Sequence, residues 1–381
     1  MTDAAIRSFS IDVSQADLDD LHDRLARTRW SGELPGVAGW TRGVPADYLR
    51  GLAAYWSAGY DWRKAEARLN QFPQFTTEID GQEIHFLHIR SPHPDATALV
   101  LLHEWPTSVA AFIDMIVPLT DPADPADAFH LIIPSLPGIA FSGPLTEPGW
   151  TYARTAGAFT ALLSRLGYES YGVQGAGGGA FIAAEMGRRE PERTVGIHVN
   201  ALLAFPSGDP SDFAGLTKAE QHRLERLQNF RDDMMGFAQL QSTRPQTVAY
   251  ALHDSPVGQL AWIVEKFKEW TDPAGELPED TVALDAILTN VSLYWFTGTA
   301  GSSAHLYYEN AHDVNASSPK ARGTVPTGVA VAAADITIRR FADRDHNVTH
   351  WTELESGGAF LSLEQPELLV DDIRAFFRTL H

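Results

Sequence analysis

Short apolar runs and helical stripes alternate along most of the chain. Residues 13–30, VSQADLDDLHDRLARTRW, place apolar side chains at helical spacing behind Ser14, a residue that suits an N-cap. A second helical stretch is predicted over 46–70. After Phe75, TTEIDGQEIHFLHIR alternates around Asp80-Gly81, a strong hairpin signal. TALVLLH (97–103) and FHLIIPSLP (129–137) are apolar runs closed by turn residues, the pattern of buried parallel strands. A helix is predicted over 152–167. YGVQ, AFIAAEMGRRE and VGIHVN then read as strand, helix and strand. This alternation predicts an α/β fold, a mostly parallel sheet with helices on both faces. From 211 to 320 the pattern turns helical, in KAEQHRLERLQNFRDDM, PVGQLAWIVEKFKEW and VALDAILTNVSLYWF. The core resumes with TGVAVAAA (327–334) and NVTHWTEL (347–354) and closes on the helix PELLVDDIRAFFRTL. The expected organisation is an N-terminal helical arm leading into the first strands (1–95), a first core part (96–210), a helical cap (211–320) and a second core part (321–381).

Length fits this plan, since 381 residues suit one large core with an inserted cap. The chain has no cysteine, which excludes disulfides, Cys-ligated metal, iron–sulfur clusters and a thiol nucleophile. Forty-nine acidic against 29 basic residues give a net charge of −20. Such a surface repels phosphate backbones and anionic headgroups, so neither nucleic acid nor a membrane is expected as a partner. The N-terminal stretch MTDAAIRSFSIDVSQ lacks a signal-type apolar core, and no apolar run reaches the roughly 18 residues of a bilayer span. A cytoplasmic location is expected. The arm is rich in aromatics, among them Trp30, Trp40, Tyr48, Trp56, Tyr60 and Trp62. Packing against a core is the favoured reading, and a ligand-binding cluster is the alternative. His346 and His350 are four apart without a further ligand nearby in sequence, so no metal is expected, and no cofactor.

The most informative segment is YGVQGAGGGAFIAAEM, a strand, a tight glycine turn and a helix. One chemistry with this arrangement is the nucleophile elbow, where a strained turn presents a side chain at the top of a sheet. The other is a dinucleotide loop, because GAGGGA satisfies G-x-G-x-x-A. That fingerprint also wants a carboxylate about 20 residues on, at the end of the next strand. Here that strand ends at Asn200 and Ala201. The elbow is the better reading.

Several ordered motifs resemble the microsomal-type epoxide hydrolases, including bacterial members linked to natural-product pathways. FSIDVSQADLDDLHDRLARTRW is similar to that family's N-terminal domain, HEWPTS (103–108) to its HGWPGS loop, and PSLPGIAFSGP (134–144) to its PSIPGFGFSGP. HDSPVGQLAWIVEKFKEW (253–270) and TGTAGSSAHLYYEN (297–310) resemble its cap signatures. GGAFLSLEQPELLVDDIRAFF (357–377) resembles GGHFAALEQPELLVDDIRAFF. The resemblance spans nearly the whole chain and implies the α/β-hydrolase fold.

The resemblance also implies where the family's chemistry falls. Its Asp nucleophile in Q-G-G-D-W-G falls on Gly177, and the adjacent Trp on Gly178. Its general-base His falls on Ala359. One of its two hydroxyl-donating Tyr residues falls on Phe237, while the other is kept as Tyr307. The acid that orients the His is kept as Asp335. Glycine and alanine can neither attack nor accept a proton, and phenylalanine donates no hydrogen bond. Losing such a unit costs on the order of 10⁴–10⁶ in rate, yet roughly 10³–10⁴ can survive through an oxyanion hole and positioning. The N–H groups of Gly178 and Trp105 are the oxyanion candidates, with His103 bonded within the same loop. Glu104 stands where HGWP has glycine. It reads either as a desolvated acid–base group with a raised pKa or as a carboxylate turned to solvent or paired with Arg. Asp335 is either a remnant or faces space opened by Ala359. Replacing Asp, Trp and His by small residues predicts an enlarged, apolar pocket for a large hydrophobic substrate, polyketide-like or polycyclic. Three functions compete: a non-hydrolytic cyclase or isomerase, a silent binding or carrier protein, and a hydrolase working by direct water attack. The oligomeric state is left open, with a homodimer as one option.

Overall fold

The apolar runs pair into one nine-stranded sheet, in the order β1-β2-β3-β5-β4-β6-β7-β8-β9. Its strands are β1 (Arg7–Phe9), β2 (Gln74–Ile79), β3 (Gln82–Ile89), β4 (Thr97–Leu102), β5 (Phe129–Pro134), β6 (Tyr171–Ala176), β7 (Thr194–Asn200), β8 (Pro326–Val331) and β9 (Asn347–Glu353). The computed structural model describes residues 5–36, 39–314 and 321–380. From β5 through β9 every pairing is parallel. The three pairings from β1 to β5 are antiparallel. The β2–β3 turn falls at Asp80 and Gly81, both with positive φ (52° and 75°), as a tight two-residue hairpin requires. The central strand β6 is buried at every position, which explains its small and apolar residues, and its Gln174 side chain donates to Asn200 Oδ1 at 2.9 Å.

The arm contributes α1 (Gln15–Ala26), α2 (Ala46–Ala58) and α3 (Trp62–Leu69). Ser14 caps α1 by accepting from the Asp17 N–H. The predicted stretch 46–70 divides in two, because Asp61 caps a new helix by accepting from the Lys64 N–H. The helices of the core are α4 (Ile113–Thr120), α5 (Tyr152–Leu166) and α6 (Gly178–Arg189). The cap, between β7 and β8, holds α7 (Lys218–Asn229), α8 (Gly236–Thr243), α9 (Pro245–Asp254), α10 (Pro256–Trp270), α11 (Leu284–Thr297) and α12 (Ala300–Ala311). The chain ends with α13 (Arg339–Asp345), α14 (Leu361–Glu364) and α15 (Pro366–Arg378). The expected end of the cap, at 320, lies outside the described residues.

The arm packs against the cap, and its aromatic residues make that contact. Trp56 Nε1 donates to Ser292 Oγ at 2.9 Å. Tyr55 donates to Asp285 at 2.7 Å, Tyr48 to Glu279 at 2.7 Å, and Tyr60 meets Thr289 at 3.0 Å. The packing reading of these aromatics therefore fits the structure. No helix among the described residues is long and apolar enough to cross a membrane.

Candidate active site

The elbow forms where β6 ends and α6 begins. Gly177 sits between them at φ 48° and ψ −114°, a conformation that strains any side-chain-bearing residue. Two flanking glycines let helix and strand close up. A Cβ on Gly175 would stand 2.4 Å from the Gly179 carbonyl oxygen, and one on Gly179 would stand 2.3 Å from that of Leu102. Within the triple glycine, Gly179 is thus required by backbone approach, and Gly177 by its positive φ and the Glu104 carboxylate beside it.

The loop after β4 supplies the second wall. His103 is 1% exposed and both ring nitrogens are engaged. Nε2 accepts from the Leu136 N–H at 3.1 Å, which makes Nδ1 the donor to the Glu104 carbonyl at 3.2 Å. That carbonyl also accepts from the N–H and hydroxyl of Thr107, both at 2.8 Å. Burial holds the His103 pKa down to about 4, so it is neutral. His103 does not line the cavity described below. It shapes the loop, through the bond to the Glu104 carbonyl that was expected of it. The loop is pinned to the cap by Asn290, which donates to the Pro106 carbonyl, and by Tyr294, which donates to that of Thr107 at 2.9 Å. Trp105 Nε1 donates to Ser303 Oγ of α12 at 3.1 Å.

With its backbone locked, Glu104 directs its carboxylate at the elbow. An ideal Cβ on Gly177 would lie 2.2 Å from Glu104 Oε2. The carboxylate thus occupies the space where a side chain at 177 would begin. Glu104 is 7% exposed and has no hydrogen-bond or ion-pair partner among the described residues. The reading in which it turns to solvent or pairs with Arg does not fit this placement. Burial, then the nearby Asp335 and Glu364, push its pKa well above the ordinary carboxylate value. The N-terminus of α6 favours the ionised form by about 0.3–2 kcal/mol. That is less than the several kcal/mol that desolvating a carboxylate costs. The N–H groups of Trp105 and Gly178 have no partner among the described residues, as oxyanion donors require.

These groups border a cavity of about 490 Å³ between core and cap. Its lining includes Glu104, Trp105, Gly177, Gly178, Phe237, Tyr307, Asp335 and Ala359, so all the expected site residues except His103 converge there. Phe237 stacks on Trp105 with ring centroids 5.1 Å apart, and Tyr307 meets both rings edge-on at 5.5 and 5.6 Å. Beneath Phe237 lies the buried Lys266 ammonium, 4.7 Å from the ring centroid and paired with Glu265 and Glu269 at 2.7 Å. Asp335 accepts from the N–H and hydroxyl of Thr337 at 2.7 and 2.6 Å, and burial raises its pKa. The Ala359 N–H donates to the Trp270 carbonyl at 2.7 Å, and its carbonyl accepts from Asn200 Nδ2 at 3.1 Å. The expected enlargement of the pocket is partly offset, because Glu104 fills the space above Gly177. Tyr152, predicted only as the first residue of a helix, approaches Gly178. No local signal marks Tyr152. Only the packing of α5 against α6 brings it to the site.

A mostly parallel sheet with a strained elbow after a central strand, a loop after β4 that faces that elbow and a helical cap over the strand ends defines an α/β-hydrolase. The family model "Epoxide hydrolase N terminus" matches residues 6–112. A putative epoxide hydrolase of Stigmatella aurantiaca is 44% identical over 98% of this chain and 85% of its own. Epoxide hydrolase 1 of Sus scrofa is 33% identical over 99% of this chain and 90% of its own. The crystal structure of juvenile hormone epoxide hydrolase from the silkworm Bombyx mori is similar at a TM-score of 0.91 and 30% identity, covering 99% of this chain and 95% of that one. The chain belongs to the epoxide hydrolase family.

Proposed function

We propose that the protein is an enzyme of natural-product metabolism that opens or rearranges its substrate by acid–base catalysis, without a covalent intermediate. One observation carries this reading: the buried, unpaired Glu104 carboxylate stands in the space of an elbow side chain, above Gly177. A carboxyl group with a raised pKa keeps its proton near neutrality and works as a general acid. The family favours an epoxide and the apolar cavity a large hydrophobic one, and the class proposed is polyketide-like or polycyclic.

In an intramolecular opening, a substrate hydroxyl oxygen forms a bond to an epoxide carbon and that carbon's bond to the epoxide oxygen breaks. The epoxide oxygen takes the proton of Glu104, and the attacking hydroxyl returns a proton to the carboxylate. The net change is an isomerisation that consumes no water. Positioning can supply an effective molarity of about 10⁵–10⁸ M, so no enzyme nucleophile is needed. Tyr307 and the N–H groups of Trp105 and Gly178 stabilise the developing oxyanion, and Asp335 tunes Glu104.

The test uses an aryl-bearing epoxy alcohol whose hydroxyl can reach the ring, followed by single-turnover kinetics and a separate binding assay. Glu104→Gln lowers turnover by about 10²–10⁴ with binding nearly unchanged. Tyr307→Phe has a smaller effect and Asp335→Asn a smaller one still. Turnover of Glu104→Gln at the wild-type rate overturns the role of Glu104. Heavy oxygen from labelled water in the product overturns the intramolecular route in favour of water attack.

A further inference from the structure

Tyr152 opens α5 directly after its cap, Thr151, whose side chain accepts from the Arg154 N–H at 3.3 Å. The Tyr152 N–H donates to Asn310 Oδ1 of α12 at 2.9 Å. Asn310 lies three positions beyond Tyr307 on the same helix and donates back to the Leu306 carbonyl at 2.7 Å. One cap helix therefore carries Tyr307 and also fixes the backbone of Tyr152. The Tyr152 ring stacks on Phe181 of α6, centroids 5.4 Å apart. Its hydroxyl oxygen and Cε1 both lie 3.5 Å from where a Cβ on Gly178 would be. Glycine at 178 leaves this ring room, and a large side chain there would displace it. Tyr152 lines the cavity with Glu104 and Tyr307, and neither tyrosine hydroxyl has a partner among the described residues.

We propose that Tyr152 is a second hydroxyl donor to the substrate oxygen, acting beside Tyr307 from the core side of the cavity. The cap position that could have held such a donor is Phe237, whose ring is committed to the stack on Trp105. Burial raises the Tyr152 phenol, to about 12 when Glu104 is ionised beside it, so it holds its proton and donates. The ligand class is a hydrophobic molecule with an acceptor oxygen at its reacting end, an epoxide or a carbonyl. The proposal rests on the reading that this cavity activates a substrate oxygen, but not on Glu104 as the acid.

The experiment uses fluorenone, an apolar polycyclic ketone, and reads both its affinity and its carbonyl stretch when bound. In the wild type the stretch lies below its value in an apolar solvent, as hydrogen bonding to the oxygen demands. Tyr152→Phe, which keeps the stack on Phe181, moves the stretch back towards that value and weakens binding by roughly three- to tenfold. Tyr307→Phe does the same, and the double variant moves it further than either. An unchanged stretch in Tyr152→Phe, with Tyr307→Phe still shifting it, overturns Tyr152 as a donor while leaving the cavity's role intact. Weaker binding without a spectral shift assigns Tyr152 to packing and also overturns the proposal. No saturable binding, or an unshifted stretch in the wild type, overturns it together with the reading of the cavity as an oxygen-activating site. Normal turnover of Glu104→Gln with the epoxy alcohol strikes only Glu104.

Discussion

At the scale of single residues, Glu104 and Gly177 exclude each other's side chains. Gly177→Asp places a Cβ 2.2 Å from Glu104 Oε2 at a backbone conformation that costs of order 1–3 kcal/mol for a non-glycine residue. It is expected to destabilise the fold, and adding Glu104→Gly recovers a part, with a coupling of about 0.5–3 kcal/mol in denaturant melts. Strict additivity would show that the two sites do not touch. For the same reason Gly177→Asp with Ala359→His alone restores little hydrolysis of styrene oxide. The wild type is expected to form no alkyl-enzyme ester with that epoxide, and an adduct seen by intact-protein mass spectrometry would overturn this. Glu104 also predicts a pH signature. Its folded pKa is raised, so its contribution to stability is present below the ordinary carboxylate pKa and is lost as pH rises through the folded value. Glu104→Gln has no such loss, and its melting temperature relative to wild type should climb as pH rises. A gap that stays flat with pH would mean the carboxylate is not perturbed.

At the scale of elements, the site depends on contacts between cap, arm and core. Trp105 belongs to the loop after β4, yet its indole N–H is satisfied by Ser303 of α12 and its ring by Phe237 of α8. Ser303→Ala leaves that buried N–H without a partner, a loss of about 1–3 kcal/mol. We expect a lower denaturant midpoint of that size and a slower turnover of the epoxy alcohol, since the stack that sets Tyr307 loosens. A comparable loss in Ser292→Ala, which orphans Trp56 Nε1, should expose the cap to limited proteolysis without altering the cavity's carbonyl-stretch readout.

For the whole molecule, two sets of buried titratable groups act against each other. Burial lowers His85 to about 3, and His103 and His346 to about 4. Each favours the folded state above the unfolded His value near 6.5, and that advantage is lost as pH falls towards the folded value. Glu364, raised to about 7 by burial, and Glu104 and Asp335 have the opposite sign, so their contribution grows as pH falls to about 4.5. The two sets offset each other between about 6.5 and 4.5. Below that the histidines lose stability unopposed, joined by Asp372, whose pKa is held down by His198, Thr352 and His350. Melting temperature should therefore change little from pH 6.5 to about 4.5 and fall steeply below it. A steady decline from neutrality would show that the raised carboxylates are absent from the balance.

What the sequence determined by itself is whatever local periodicity encodes. The strands from β2 onward, the longer helices and the hairpin at Asp80-Gly81 were legible because apolar spacing and turn chemistry act over a few residues, while β1 and the short helices α4, α8, α9, α13 and α14 were too brief to show a period. The glycine run 177–179 announced the elbow, and motif order along the chain marked the family and placed Gly177, Ala359, Phe237 and Tyr307. What only the tertiary structure decided is which side chains share one space. Glu104 lies 73 positions before Gly177 in the chain, and only the parallel pairing of β4 with β6 brings its carboxylate to the elbow. Tyr152 reaches the cavity through α5 packing on α6 and the clasp of Asn310, neither of which leaves a local pattern. His103 carried the opposite lesson. Its motif placed it beside the site, but one hydrogen bond to the Glu104 carbonyl of its own loop and one from the Leu136 N–H after β5 hold its ring away from the cavity, because leaving a buried imidazole nitrogen unpaired costs stability.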